Sequence, residues 1–294
     1  MREAKPGLEW QSKAILLLVV PWTAISVLLQ SYWWGTHEPV VAWTTLGISI
    51  AFGLIVWRLR AATPAAAATG AAITASLMYG TTRFPYQQSW AHGGLLPLLA
   101  VFVLTFVATK IGKTKKERLG SGEAKHGRNA AQVAANLGIA ALVASPLALS
   151  GGDQRMNIGS LLAVAALAEA AADTVSSELG QVFGGQPRML TTLQLVEPGT
   201  DGGVTLAGTV AGILAALIVA AIGAWALDEP WQVIVYSAAG ATLGLFFDSL
   251  LGATLERKGW LNNDAVNFLS TLSAPIFAAL VMLGSFFVLS RHGG

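Results

Sequence analysis

VTLAGTVAGILAALIVAAIGAW, running from Val204 to Trp225, contains no charged side chain. About 20 helical residues cross a hydrocarbon core of roughly 30 Å, so this stretch alone is long enough to span a bilayer. Lipid offers no water to satisfy backbone N–H and C=O groups, which makes a helix the conformation such a run must take. Working outward, similar apolar windows lie at 14–33, 40–57, 65–80, 92–110, 129–149, 157–182, 231–250 and 263–289. The weakest is 65–80, which is short and rich in alanine. With 204–225 they predict an all-α, polytopic transmembrane bundle of about nine spans.

Composition agrees. Charged residues make up 12% of the chain and hydrophobic ones 54%. A soluble domain carries about a quarter charged residues, so too little polar surface is present here to cover a water-facing globule. The absence of cysteine excludes disulfides and thiolate metal sites. A net charge of +2 is what a membrane protein with basic cytoplasmic loops carries, and it gives no ground for a nucleic-acid partner.

With the N-terminus cytoplasmic, the predicted loops on that side hold Arg2, Lys5, Lys13, Arg58, Arg60, Lys110, Lys113, Lys115, Lys116, Arg118, Lys125, Arg128, Arg188, Arg257 and Lys258. The far side keeps only Arg83, Arg155 and Arg291. This split predicts a multi-pass protein of the inner (cytoplasmic) membrane with cytoplasmic loops near 111–128, 183–203 and 251–263. Small residues such as Gly208, Gly212, Gly240 and Gly244 suit close helix packing, either within the bundle or in a homodimer.

Polar groups inside membrane helices are costly, so they mark candidate chemistry. Four clusters stand out, all near cytoplasmic helix ends. In GRNAAQVAAN (127–136), Asn129, Gln132 and Asn136 share a helix face beside Arg128. Amides donate and accept hydrogen bonds, and Arg grips phosphate with a planar fork. In EAAADTVSSE (169–178), Glu169, Asp173 and Ser177 recur every fourth residue with Thr174 alongside, while Glu178 points elsewhere. Carboxylates in an apolar helix need a cation, a proton or an Arg partner. Hard oxygen ligands of this kind suit Mg2+ together with substrate phosphates.

The loop GGQPR (184–188) and EPGTDGGVT (197–205) leads into the seventh helix. Its Gly199, Thr200, Gly202 and Gly203 let backbone N–H groups approach an anion at a helix N-terminus, although Pro-Gly and Asp-Gly pairs also make ordinary turns. The fourth cluster combines DSLLGATLERK (248–258) with NNDAVN (262–267), which place Asp248, Gly252 and Glu256 on one face and Asn263 and Asn267 on the next helix. Asn262 and Asn263 equally suit a turn and a helix cap.

These segments expect Asp173, Arg128 and Asp248 to be catalytic. Asp173, Glu169 and Asp248 would hold the metal. Asn129, Gln132, Asn136, Lys110, Thr174, Ser177, Glu178, Arg188, the loop glycines, Thr200, Asn263 and Asn267 would bind substrate or nucleotide. No P-loop, kinase glycine loop or nucleophile elbow is present.

The same motifs, with Thr191, Thr192 and Thr254, resemble those of domain-of-unknown-function family 92, the family of transmembrane protein 19 and the plastid phytyl-phosphate kinase. The likeness runs from about residue 63 to 289 and sets 1–62 apart as a two-helix addition to a kinase-like membrane domain, 63–294. It implies conversion of an isoprenyl monophosphate to its diphosphate, with Mg2+ and ATP or CTP as donor. A fainter likeness to polyprenol kinases and phosphatidate cytidylyltransferases implies a CTP-dependent lipid alcohol kinase or cytidylyltransferase as the alternative. Asp201 and Glu256 depart from the family pattern, where Ser and Gln are expected. Read without the resemblance, buried acids also suit an ion-coupled transporter.

Overall fold

The computed structural model describes residues 9–86, 93–118, 127–145 and 157–292. Arg2, Lys5, Lys125 and Arg155 of the charge argument lie outside these. A helix occupies each apolar window: α1 (Glu9–His37), α2 (Pro39–Arg58), α3 (Pro64–Thr81), α4 (Leu95–Lys110), α6 (Ala130–Ala144), α7 (Ile158–Phe183), α8 (Leu206–Ala226), α9 (Gln232–Leu251) and α10 (Asn263–His292). Among the described residues, six helices (α1, α2, α7, α8, α9 and α10) are long and apolar enough to cross a membrane. The expected nine is thus not matched by length and composition: α4 and α6 hold 16 and 15 residues, and the alanines and glycines of α3 add little hydropathy. Three small elements went unforeseen: the helix α5 (Lys113–Arg118), the hairpin β1 (Arg188–Met189) with β2 (Gly203–Val204), and a π-turn at Gly252–Glu256 that ends α9.

α7 is the central post, with 78% of its apolar window buried. Its neighbours are α4, α6, α8, α9 and α10. Alanine makes this possible, since Ala163, Ala165, Ala166, Ala168, Ala171 and Ala172 let the surrounding helices approach closely. The small residues of the sequence pack this bundle. Gly208 and Gly212 lie against the backbone carbonyls of Ser176 and Ala172, and a Cβ at either would fall 2.6 and 2.8 Å from those oxygens. α1 belongs to the same core: its Val19 is fully buried and packs against Gly138 of α6.

Loop contacts show which helix ends lie together. Arg128 N donates to Ala61 O (3.0 Å) and Thr63 N to Arg128 O (3.0 Å), which joins the α2–α3 turn to the start of α6. Gln11 Nε2 donates to Trp260 O, and Asn262 N to Gln11 Oε1, both at 2.8 Å, so α1 begins beside α10. Lys116 meets Glu178, joining the ends of α4 and α7. At the opposite end, Glu229 takes hydrogen bonds from Arg83 Nη2 (3.2 Å) and Asn157 N (2.9 Å).

Candidate functional site

At the first of these ends the polar clusters converge around one cavity of about 380 Å3. Its walls come from α6, α7, the 185–205 loop, the end of α9 and the start of α10. Arg128, Gln132, Asn136, Asp173, Thr174, Ser177, Glu178, Gly199, Thr200, Gly202, Gly203, Asp248, Asn263 and Asn267 all line it. Sequence stretches far apart in the chain thus meet at one end of the bundle.

Arg128 is aimed by its backbone. Gly127 holds φ +74°, and a Cβ there would sit 2.5 Å from the carbonyl carbon of Ala61, so only glycine allows the pairing that fixes Arg128. The guanidinium reaches α7, where Nη2 donates to Thr174 Oγ1 at 3.2 Å and its charge acts on Asp173. Asn136, buried, donates from Nδ2 to Gln132 O (2.8 Å).

Asp173 and Asp248 face the cavity, with Glu169 one turn deeper. Asp248 lies within electrostatic reach of both other carboxylates, and Ser270 of α10 lies near Glu169 and Asp248, with its Oγ donating to Asn267 O at 3.0 Å. Thr271 Oγ1 donates to Glu169 Oε2 at 2.9 Å. Two carboxylate oxygens are nevertheless buried with no hydrogen-bond partner, Glu169 Oε1 and Asp248 Oδ2. Such orphan acceptors are what a cation or proton would satisfy. Among the described residues no three His, Cys, Asp or Glu side chains form a group that could hold a metal ion. The expected three-carboxylate ligand set is therefore not assembled, because Glu169 is turned into the core towards Thr271. The donor set on the wall, Asp173 and Asp248, fits Mg2+, which takes one or two carboxylates and completes its shell with water and phosphate.

The glycine loop is docked, not free. Gly202 (φ +75°) packs on the π-turn so tightly that a Cβ would lie 2.3 Å from Ala253 N, and Gly252 returns the contact at 2.8 Å from Gly202 N. π-turns of this kind recur at functional sites.

Three expected binding residues lie elsewhere. Asn129 is exposed at the α6 N-terminus, where it forms a capping box with Gln132: Gln132 N donates to Asn129 Oδ1 (3.0 Å) and Asn129 N to Gln132 Oε1 (2.9 Å). Arg188 is exposed on β1 and donates to Leu193 O (3.0 Å), bracing its own loop. Lys110 lies over the Phe106 ring at 5.1 Å, off the cavity wall. The lysine that turns inward is Lys116, whose Nζ caps α4 through Ala108 O and Thr109 O and meets Glu178 Oε2 at 2.5 Å. Ser176, Gln181, Ser249 and Glu256 also line the cavity. Two had a visible signal: Gln181 continues the four-residue stripe of Asp173 and Ser177, and Glu256 continues that of Asp248 and Gly252.

The family model described as integral membrane protein DUF92 matches residues 47–275. Protein VTE6, chloroplastic, of Arabidopsis thaliana is 30% identical over 241 residues, covering 79% of this chain and 71% of that protein. An uncharacterized membrane protein of Methanocaldococcus jannaschii is 35% identical over 187 residues, covering 64% and 75%. Protein PGR of Arabidopsis thaliana is 31% identical over 243 residues, covering 66% and 83%. No solved structure matches the chain.

Proposed function

The chain belongs to the DUF92 family of integral membrane proteins, and on that premise we propose that it is a membrane phosphotransferase converting an isoprenyl monophosphate, of the phytyl or geranylgeranyl type, to the diphosphate. The donor is a nucleoside triphosphate, ATP or CTP, taken up with Mg2+ from the cytoplasmic side of the inner membrane. The observation that carries this reading is the polar cavity at one end of an apolar bundle, where Arg128, the carboxylates of Asp173 and Asp248, the orphan Asp248 Oδ2 and a docked glycine loop meet. The acceptor class comes from the motif resemblance to the family of the plastid phytyl-phosphate kinase.

The reaction needs little covalent chemistry from the protein. An oxygen of the acceptor phosphate attacks the terminal phosphorus of the nucleotide. The bond from that phosphorus to the bridging oxygen breaks, and the electron pair leaves on the nucleoside diphosphate. The nucleophile is already an anion, so no strong general base is required. Catalysis then rests on positioning and charge stabilisation. Arg128 holds one phosphate with its fork while Thr174 and Asp173 fix its direction. Asn136, Gln132 and Asn267 supply hydrogen bonds to oxygens that change position little. The Gly199–Gly203 loop lines the cavity at the start of α8 and meets the nucleotide there, with Thr200 N and Gly203 N already donating within its own turns to Glu197 O and Thr200 O. Asp173 and Asp248 would hold Mg2+, which when bound neutralises charge on the transferring phosphates.

The test is phosphate transfer by the full-length protein in detergent, with phytyl, geranylgeranyl and undecaprenyl monophosphates and each labelled nucleoside triphosphate. A labelled diphosphate is expected from one of the first two acceptors. Asp173→Asn should lower turnover by at least about 100-fold while the protein still accumulates. No transfer from any pairing, together with nucleotide-independent flux in proteoliposomes, would replace this reading with transport.

A further inference from the structure

The polar cavity has an apolar neighbour. Between α2, α3, α4 and α6 runs a groove of about 90 Å3, lined by Phe52, Gly70, Val101, Phe102 and Phe106 among others. Two residues belong to both spaces, Arg128 and Asn136. The groove follows α4 from Thr109, level with the polar cavity, down to Leu98, a helical rise of roughly 16 Å. Its far wall contains Gly53 and Ala67, which also line a wider cleft of about 390 Å3 on the outer side of α2 and α3, floored by Ile50, Leu54, Trp57 and Ala71. A polar cavity, an apolar slot and a lipid-side cleft therefore follow one another, separated first by Arg128 and Asn136 and then by two small residues.

We propose that this slot binds the hydrocarbon chain of the phosphorylated acceptor, with its phosphate on Arg128 and its chain running along α4 towards Leu98. The proposal rests on the phosphotransferase reading and deepens it, because it names where the acceptor's chain lies. Two features carry it. The groove adjoins the polar cavity at Arg128, which lines both and can fork a phosphate. Its lining is aliphatic and aromatic, apart from Thr105, Thr109 and the two shared polar residues. At the rim towards the outer cleft α2 and α3 touch, since an added Cβ on Gly53 would lie 3.0 Å from Ala67 O, so the slot is walled from that cleft by two small residues. The slot thereby gives α2 a direct part in the site. Phe52 of α2 and Phe102 of α4 meet edge to face at 5.5 Å and form one aromatic side of the slot.

The experiment is photo-labelling of the full-length protein in lipid nanodiscs by geranylgeranyl monophosphate carrying a diazirine on its last isoprene unit, followed by peptide mapping. Adducts are expected within 50–71 and 98–106, and unlabelled geranylgeranyl monophosphate should compete them away. Gly70 offers a place to block the slot without moving the backbone, since the nearest atom to an added Cβ is Val133 Cγ1 at 3.9 Å. Gly70→Phe should cut labelling and raise the acceptor KM at least tenfold while leaving the nucleotide KM unchanged. Gly47→Leu on the open face of α2, where nothing lies within 4 Å, should change neither. Adducts on α8 or α9, or equal labelling by a diazirine fatty acid without a phosphate, would overturn the proposal. The wild-type map needs no variant, so a misfolded Gly70→Phe does not protect it. Phosphate transfer with label elsewhere removes the slot and leaves the phosphotransferase, whereas competed label in the slot without transfer does the reverse.

Discussion

Glu178 lines the cavity, yet its carboxylate is already engaged by Lys116 at 2.5 Å and by Thr109 Oγ1 at 3.2 Å. With Lys116 itself only 3% exposed, this pair holds α4 against α7 more than it receives a substrate. Glu178→Gln should therefore destabilise the protein by about 3 kcal/mol, because the lysine loses its buried counter-charge. A lowered thermal midpoint with unchanged KM for both substrates is the expected result. Glu229, at the opposite end and outside the spans, makes a pH prediction. Burial raises its carboxyl pKa above the usual range, against the opposing hydrogen bonds from Asn157 and Arg83. The folded state then binds this proton more tightly than the unfolded one, so stability falls as pH rises from the unfolded value towards the folded one and levels off above it. Thermal midpoints measured across that window should decline in wild type and stay flatter in Glu229→Gln.

Which residues were legible follows from the same energetics. Arg128, Asn136, Asp173 and Asp248 announce themselves because a polar group in an apolar helix needs a reason. Arg188 and Lys110 were expected in the cavity and are not there. A positive charge at a helix end says which face of the membrane it prefers, but not which way a long side chain turns once loops are packed. Lys116 shows the converse: it stood as one lysine in a basic run, and its burial depends on the end of α7, remote in sequence.

Among elements, the glycine loop and the π-turn form one unit. Gly202 needs both its positive φ and the missing Cβ to sit on Ala253, so Gly202→Ala is strained twice over. Hydrogen exchange across 186–203 should rise and turnover fall at least tenfold, while exchange in α7 and α10 stays as in wild type. Helix positions were readable from apolar windows, because burial in lipid demands continuous apolar faces. The π-turn was not: its residues continue the apolar pattern of α9, and the register change comes from packing against the loop. The short β1–β2 hairpin is hidden for a similar reason, being fixed by Leu190 N donating to Gly202 O and not by any run of strand-forming residues.

For the whole molecule, the charge asymmetry fixes a testable orientation. Lys13, Arg58, Arg60, Lys113, Lys115, Arg118, Arg257 and Lys258 lie at the cavity end, against Arg83 and Arg291 at the other, which would put the cavity in the cytoplasm. The natural chain has no cysteine, so single introduced thiols report topology directly. Lys113→Cys should resist a membrane-impermeant maleimide in intact cells, and Trp231→Cys in the α8–α9 turn should react. The reverse pattern would leave the nucleotide on the wrong side for the proposed reaction. The overall bundle was legible from composition. The reach of α1 into the core was not, since Val19 against Gly138 looks like any apolar residue facing lipid.

The contact from Thr271 of α10 to Glu169 of α7 also has a consequence for how the protein is made. The ribosome delivers α7, with its acidic stripe, well before α10 has been translated. During that interval Glu169 has neither Thr271 nor Ser270 beside it, and α1 lacks the Trp260 and Asn262 partners that Gln11 later takes. The half-made chain is thus poorly suited to bare lipid and is best kept beside the insertion machinery until α10 arrives. Assembly of the bundle and completion of its polar cavity become the same late event in biogenesis.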